Sequence, residues 1–385
     1  MQKAIFGIDH FLQQENKYGH LRIALVTNDV ALTSQNENTR SALLNKGFII
    51  IKLFSPEHGI AAIGIDGTYQ GNIIDPVTVL PVISLYGDHL MPKEQDLADV
   101  DLVLFDIPDV GCRFYTYLWT MSYVMEACAL YDKPLVILDR PNPIGGDMKK
   151  VEGPFLDESC SSFIGRWNIP IRHCCTLGEL ALYFSAIHNI KTDLTVLPIT
   201  GWTRNKTAAE NNILFTPTSP AISDIETALC YPGTGLLEGL NVNEGRGTDK
   251  AFRIFGAPWM NSTVLLEKIN ELQLPGVQFS KIKYIPDSSL YSGKTCYGLS
   301  ISVTDENLFK PVQTGISIIR KLLFLFPEHC SERLYKTVAN PTGVKHLDKL
   351  LGIKDSFARL RLENITSTGF EEEWKEKISP FLIYP

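Results

Sequence analysis

At 385 residues, with 44% hydrophobic and 21% charged residues, the chain has the make-up of a folded globular protein. It is too long for one ordinary core, which predicts two domains. A formal charge of −7 and the lack of a basic patch interleaved with aromatics exclude a nucleic-acid partner. The apolar runs, about seven residues at most, fall far short of the roughly 20 a membrane helix needs, so no membrane partner is expected.

The opening Met1-Gln-Lys-Ala-Ile-Phe-Gly-Ile-Asp-His10 has neither the apolar stretch nor the cleavage site of a signal peptide. A cytoplasmic location is therefore expected, with a periplasmic or secreted one as the alternative if a leader has been removed. From there strand and helix alternate. Leu21-Arg-Ile-Ala-Leu-Val-Thr27 reads as a first strand ending at Asn28-Asp29, and a helix over 38–46 follows, with Gly47 at its left-handed end. Strands are predicted over 48–54, 79–86, 101–107 and 134–140, with a glycine-rich loop over 59–71 and a helix over 116–130. Strands alternating with helices of this length predict an α/β protein with a Rossmann-like parallel sheet.

Thr176-Leu-Gly-Glu179 is a capping box ahead of a helix, and Ser223-Asp-Ile-Glu226 repeats the pattern. The polar, turn-rich Thr200-Gly-Trp-Thr-Arg-Asn-Lys206 suggests a boundary, drawn here between residues 205 and 206. Residues 1–205 would then form the Rossmann-like catalytic domain, and residues 206–385 a smaller α/β or α+β domain closing the cleft. That second part has strand-like runs over 277–285 and 297–303 between helices near 263–272 and 312–326.

Three of the strands end abruptly in charged and turn-forming residues. Phe48–Phe54 runs into Ser55-Pro-Glu-His-Gly59, Asp101–Ile107 into Pro108-Asp-Val-Gly-Cys-Arg113, and Pro134–Arg140 into Pro141-Asn-Pro-Ile-Gly145. Ligands of open parallel sheets bind at the carboxyl ends of the strands. If these strands are neighbours, Glu57, Asp106, Asp109, Arg113, Asp139 and Arg140 converge on one cleft. Pro56 and Gly59 stiffen the corner that presents Glu57 and His58, where a carboxylate can act as general acid, base or nucleophile. The bland alternative is that Glu57 only caps the following segment.

Other residues extend the candidate site. Arg113 suits recognition of a carboxylate or phosphate, Tyr115 suits packing on a sugar ring, and Asn142 between two prolines could aim its amide at a hydroxyl. The glycine-rich Glu238-Gly-Leu-Asn-Val-Asn-Glu-Gly-Arg246 adds Glu244 and Arg246 as a charged reach. Each of these arginines could instead be held in a structural ion pair. Gly233–Gly239 lacks the spacing and the preceding strand of a dinucleotide fingerprint, and no Walker A or G-x-S-x-G string occurs. The eight cysteines include the adjacent Cys174-Cys175 but no C-x-x-C, so buried thiols are expected, with no disulfide framework and no metal.

Taken together, Pro56-Glu-His-Gly59, Asp109-Val-Gly-Cys-Arg-Phe-Tyr-Thr-Tyr117, Leu138-Asp-Arg-Pro-Asn-Pro143, Val151-Glu-Gly-Pro154, Glu244-Gly-Arg-Gly-Thr248, Phe255-Gly-Ala-Pro-Trp259 and Phe381-Leu-Ile-Tyr384 resemble the exo-β-N-acetylmuramidases of the NamZ type. The resemblance covers residues 7 to 384. It implies a Rossmann-like domain, a smaller second domain and a site between them that uses no cofactor or metal. The implied reaction releases N-acetylmuramic acid from the non-reducing end of peptidoglycan fragments, with Glu57 as the catalytic residue. The chain departs from the family's pattern at Thr27-Asn-Asp-Val-Ala31, Ser219-Pro-Ala-Ile-Ser223 and Thr248-Asp-Lys-Ala-Phe252.

Glycosidic cleavage usually needs a second carboxyl group. Its candidates are Asp106, Asp109, Asp139, Glu152 and Glu244, and the substrate-binding candidates are Asn28, His58, Arg113, Tyr115, Arg140, Asn142, Glu152, Glu244 and Arg246. Among the arginines, Arg246 is preferred as partner of the muramyl lactyl carboxylate, because Arg113 and Arg140 sit beside aspartates. A monomer or homodimer acting on muramyl saccharides is expected. The alternatives are a non-catalytic binding protein for cell-wall amino sugars and, by analogy of fold alone, a nucleotide-dependent oxidoreductase.

Overall fold

The structure is a computed structural model and describes residues 3–385 apart from 66, 69, 70, 72, 339 and 363. Its centre is a seven-stranded sheet formed by β1 (Arg22–Thr27), β2 (Ile49–Ser55), β3 (Ile73–Ile74), β4 (Pro81–Ser84), β5 (Leu102–Asp106), β6 (Leu135–Leu138) and, further along the chain, β9 (Leu194–Leu197). The strand order is β3-β4-β2-β1-β5-β6-β9, parallel throughout except for the β3–β4 pair. Leu102–Asp106 and Leu135–Leu138 are buried along their whole length, as strands covered on both faces must be.

Local chemistry sets the boundaries. Asn38 accepts from the Arg40 backbone N–H to start the helix Thr39–Asn45, and Gly47 follows its end at φ +82°. The Thr176 box forms as expected, with its hydroxyl accepting from Glu179 N–H at 3.2 Å and its own N–H donating to the Glu179 carboxylate at 3.1 Å. At the second box, the cap of the helix Ile225–Thr234 is Asp224 and not Ser223, because the aspartate side chain reaches Thr227 N–H at 2.8 Å.

Two smaller sheets complete the fold. A ribbon pairs β7 (Glu152–Phe155) with β8 (Pro170–Arg172). An antiparallel sheet has the order β10-β12-β11, from β10 (Ile254–Ala257), β11 (Val277–Tyr284) and β12 (Cys296–Val303). The helices Ile225–Thr234 and Pro311–Leu325 pack beside it, touching through Gly233 and Gly315. The end of the chain returns to the large sheet, where Trp374 Nε1 donates to His173 O at 2.8 Å and the Tyr384 hydroxyl reaches Asp139. All eight cysteines are free and buried. Among the described residues, no helix is long and apolar enough to cross a membrane.

The topology changes one expectation. β2 and β5 are not neighbours, since β1 lies between them and pairs with both, Val26 opposite Phe54 on one side and Phe105 on the other. The three charged strand ends are therefore spread along the sheet edge and do not meet in one cleft. The end of β2 opens into one cavity, and the ends of β1, β5 and β6 into another.

Candidate active site

The corner after β2 turns through two consecutive left-handed residues, His58 at φ +70° and Gly59 at φ +72°. It delivers the Glu57 side chain into a cavity of about 730 Å³. There Glu57 accepts from Gly67 N–H at 2.8 Å on one oxygen and from the Thr116 hydroxyl at 2.8 Å on the other. The Tyr86 hydroxyl is a further hydrogen-bond partner of the same carboxylate. His58 turns Nδ1 to Gly64 O at 2.9 Å, and burial holds its pKa below the usual imidazole value, so it braces the corner as a neutral ring.

The wall opposite comes from the second half of the chain. Glu238 ends the short helical turn Gly235–Gly239 and lines the cavity. Arg246 donates to its Oε1 twice, from Nε at 3.1 Å and from an Nη at 2.8 Å. Among the described residues no hydrogen bond reaches Glu238 Oε2; His346 Nε2 stands 3.8 Å from it. Behind Arg246, Glu244 is completely buried, 3.3 Å from Arg246 Nε and 3.6 Å from Arg333 Nη1. His346 stacks on Tyr335, and burial pushes its pKa down to about 3, so it too is neutral.

Burial dominates the electrostatics of this wall. Among the described residues, three carboxyl groups (Glu57, Glu238 and Glu244), the guanidinium groups of Arg246 and Arg333 and the ammonium of Lys349 share a poorly hydrated space. Burial in such a space favours the protonated form of a carboxyl group. Burial drives Glu238 well above the ordinary carboxylic range; Arg333 opposes this and the charge of Glu57 adds to it. Oε2, with no donor on it, is the atom free to carry that proton.

Of the other expected site residues, Tyr115 and Arg246 line this cavity with Glu57 and His58. The Tyr115 hydroxyl donates to Thr218 Oγ1 at 2.9 Å, which fixes the ring, and Phe114, Tyr231 and Phe252 supply further aromatic surface. Asn28 is fully buried beside Tyr117 at the end of β1, away from the cavity lining.

The remaining candidates serve the fold. Arg113 is fully buried and its guanidinium donates to the carbonyls of Pro154, Ile169 and Leu350, so it ties loops together and does not reach a ligand. Asp106 is consumed by Arg140 and the Thr39 hydroxyl. Asp139 accepts from Thr176, Gly178 and Tyr384. Asn142 bridges Cys175 O and Ile144 N–H. Glu152 faces Arg172 at 3.8 Å and accepts from Gln313 N–H, and burial pushes its pKa up to about 7.

Asp109 and Arg140 line the second cavity, of about 770 Å³, where the strand order reverses between β1 and β5. Burial raises Asp109 to about 7. Among the described residues, no group of three or more His, Cys, Asp or Glu side chains is placed to hold a metal ion.

With this geometry in view, comparison with known proteins is informative. Residues 23–226 match the family described as exo-beta-N-acetylmuramidase NamZ, N-terminal, and residues 229–384 match its C-terminal counterpart. The chain belongs to this family. It is 39% identical over 363 residues to peptidoglycan beta-N-acetylmuramidase NamZ of Bacillus subtilis (strain 168), covering 94% of this chain and 84% of that protein. Two crystal structures of DUF1343 family proteins from Bacteroides fragilis share the fold. One superposes with a TM-score of 0.88 at 28% identity and the other with 0.75 at 27%, each covering 100% of this chain and 99% of the other.

Sequence reasoning missed Glu238, His346, Tyr86 and Thr116. Glu238 opens the glycine-rich stretch whose expected charged groups are Glu244 and Arg246. Tyr86 lies just past the end of β4 and Thr116 directly before the helix Tyr117–Leu130, and both can be found by asking which donors could surround Glu57.

Proposed function

We propose that this protein is a glycosidase that removes terminal N-acetylmuramic acid from the non-reducing end of peptidoglycan-derived saccharides. One observation supports the chemistry above all others: two carboxyl groups from different parts of the fold, Glu57 and Glu238, line the same cavity, and their surroundings differ. Glu57 is ringed by donors, whereas Glu238 is driven to keep a proton. Environments that push two acids apart in this way divide acid from base or nucleophile.

In this reading the terminal sugar packs against Phe114, Tyr115 and Tyr231, and Glu238 Oε2 passes its proton to the glycosidic oxygen as the bond to the anomeric carbon breaks. Arg246, held on Oε1, keeps the acid oriented. Glu57 works on the other side of the ring, as nucleophile or as base for water, and its donors limit its motion. The sequence expectation had Glu57 as acid or acid/base; the burial that raises the pKa of Glu238 favours Glu238 for that part.

The proposal includes residues 1–205 as the catalytic lobe and 206–385 as the part that closes over it, a monomer or homodimer, and a cytoplasmic role in cell-wall turnover without a cofactor. A chromogenic N-acetylmuramide supplies the test. The purified protein should release the chromophore with no added cofactor, and Glu57→Gln should lower kcat by about 10²–10⁴-fold without loss of folding. Retention of more than about a tenth of the wild-type rate would make Glu57 a structural cap.

A further inference from the structure

Among the described residues, the cavity wall includes a cation whose hydrogen-bond partner is not a carboxylate. Lys349, on the short helix His346–Leu351, is half-buried at the cavity wall, and its ammonium donates to Asn340 Oδ1 at 2.6 Å. Among the described residues, no acidic side chain lies within ion-pair distance of it. Arg246, in contrast, is bound to Glu238 and close to Glu244. An ammonium has three N–H donors, and Asn340 takes one.

Resting on the function proposed above, we infer that Lys349 is the specificity residue that pairs with the carboxylate of the muramyl lactyl ether. Its position fits the task. His346, three residues earlier and so on the same helix face, stands beside Glu238, which places Lys349 along the wall that holds the acid. The ether leaves the ring at C3, two carbons from the anomeric centre, so a sugar poised for cleavage by Glu238 and Glu57 presents its carboxylate to a neighbouring part of the same wall. Burial lowers the pKa of Lys349, a sign that its charge is incompletely hydrated and would gain from a counter-ion. Asn340 aims the ammonium and is itself fixed through donation to Tyr335 O at 3.3 Å.

Arg246 is a poor alternative. To receive the lactyl carboxylate it would have to leave Glu238 or bring a further negative charge beside Glu238 and Glu244. Lys349 can accept a ligand carboxylate without breaking an ion pair among the described residues. The neutral N-acetylglucosaminide would leave the ammonium as it stands, half-hydrated, and would forgo the ion pair.

The test uses three aryl glycosides: the N-acetylmuramide, its lactyl methyl ester, and the N-acetylglucosaminide. The ester keeps the shape and removes the charge. Wild-type protein should favour the acid, and Lys349→Met should lower kcat/KM for the acid by roughly 10–100-fold, the range a hydrogen bond to a charged group commands. The loss should fall mainly on KM, with ester and glucosaminide changed little, so that the acid-to-ester ratio collapses. Lys349→Arg, which keeps the charge, should retain most of the preference.

An unchanged acid-to-ester ratio in Lys349→Met overturns the assignment while leaving the hydrolase reading intact. Calorimetric titration of N-acetylmuramic acid into Glu57→Gln and into Glu57→Gln/Lys349→Met separates binding from turnover. A Lys349-dependent affinity without hydrolysis by the wild type would sink the hydrolase reading alone; equal affinities for the two proteins would overturn the inference.

Discussion

Glu57 and Glu238 differ less in identity than in what surrounds each carboxyl group. Glu57 has a backbone N–H and a threonine hydroxyl on its two oxygens, fixed by the loop after β2 and the start of the helix Tyr117–Leu130. Glu238 has both guanidinium bonds on one oxygen and none on the other. A general acid matters most when the leaving group is poor, so Glu238→Gln should cripple cleavage of a muramyl disaccharide yet spare much of the rate with an activated aryl leaving group. Glu57→Gln should lose both. The folded pKa of Glu238 is raised, so the acid form persists through neutrality and kcat/KM should fall on the alkaline side as that proton leaves. This alkaline limb should vanish or move in Glu238→Gln; an identical pH profile and equal losses on the two substrates would assign the acid to another group. The sequence announced Glu57 because a Pro/Gly corner at a strand end is a local signal. The pairing with Glu238 depends on the approach of two distant chain segments, which no local pattern records.

The elements were legible where their pattern was strong. The buried strands β2, β5 and β6 and the capped helix Leu177–Ile187 emerge within a residue or two of their expected limits, since continuous apolar runs and side-chain caps act locally. β9, half-buried along its four residues, and β10, interrupted by Gly256, give no comparable signal. Their pairing is imposed by the sheets they join. Strand order was equally hidden, and with it the separation of Glu57 from Asp106 and Asp139. The contact between the helices Ile225–Thr234 and Pro311–Leu325 shows how an element-scale feature reaches the site. A Cβ on Gly233 would stand 1.9 Å from Pro311 O, and one on Gly315 2.2 Å from Gly233 O, so both clashes are with backbone. Glu238 lies just past the first of these helices. Gly233→Ala should therefore cost about 1–3 kcal/mol of stability through overpacking. By displacing Glu238 it should also lower kcat, a combination that a melting curve and an assay on the same sample will reveal. A variant with unaltered melting temperature would mean that the helices can part freely, contrary to the close glycine contact.

Across the whole molecule, burial raises the pKa of several acids in the folded state, and this makes stability depend on pH in an unusual sense. Asp109 and Glu152 have folded pKa values of about 7, both raised first by burial, with backbone hydrogen bonds opposing the rise at Asp109 and Arg172 opposing it at Glu152. In the unfolded chain these groups titrate near 4. Between about pH 4 and 7 the folded protein thus binds more protons than the unfolded one, and stability contributed by these sites declines as pH rises through that window. The buried histidines act oppositely. His173 and His346, both lowered to about 3, contribute stability that is present above about 6.5 and lost as pH falls. Their influence ends near neutrality, whereas that of the acids is still growing there. The melting temperature should therefore fall between pH 6.5 and 8, the reverse of what paired surface carboxylates such as Asp101 produce on the acid side. Asp109→Asn isolates one contribution, because an amide stays neutral. Relative to wild type it should lose the share of the downward slope that Asp109 contributes over about pH 4–7 and keep the share from Glu152. Parallel curves for the two proteins over pH 5–8 would show that Asp109 is ionised in the fold, with its charge compensated by a neighbour such as His173, 3.9 Å away.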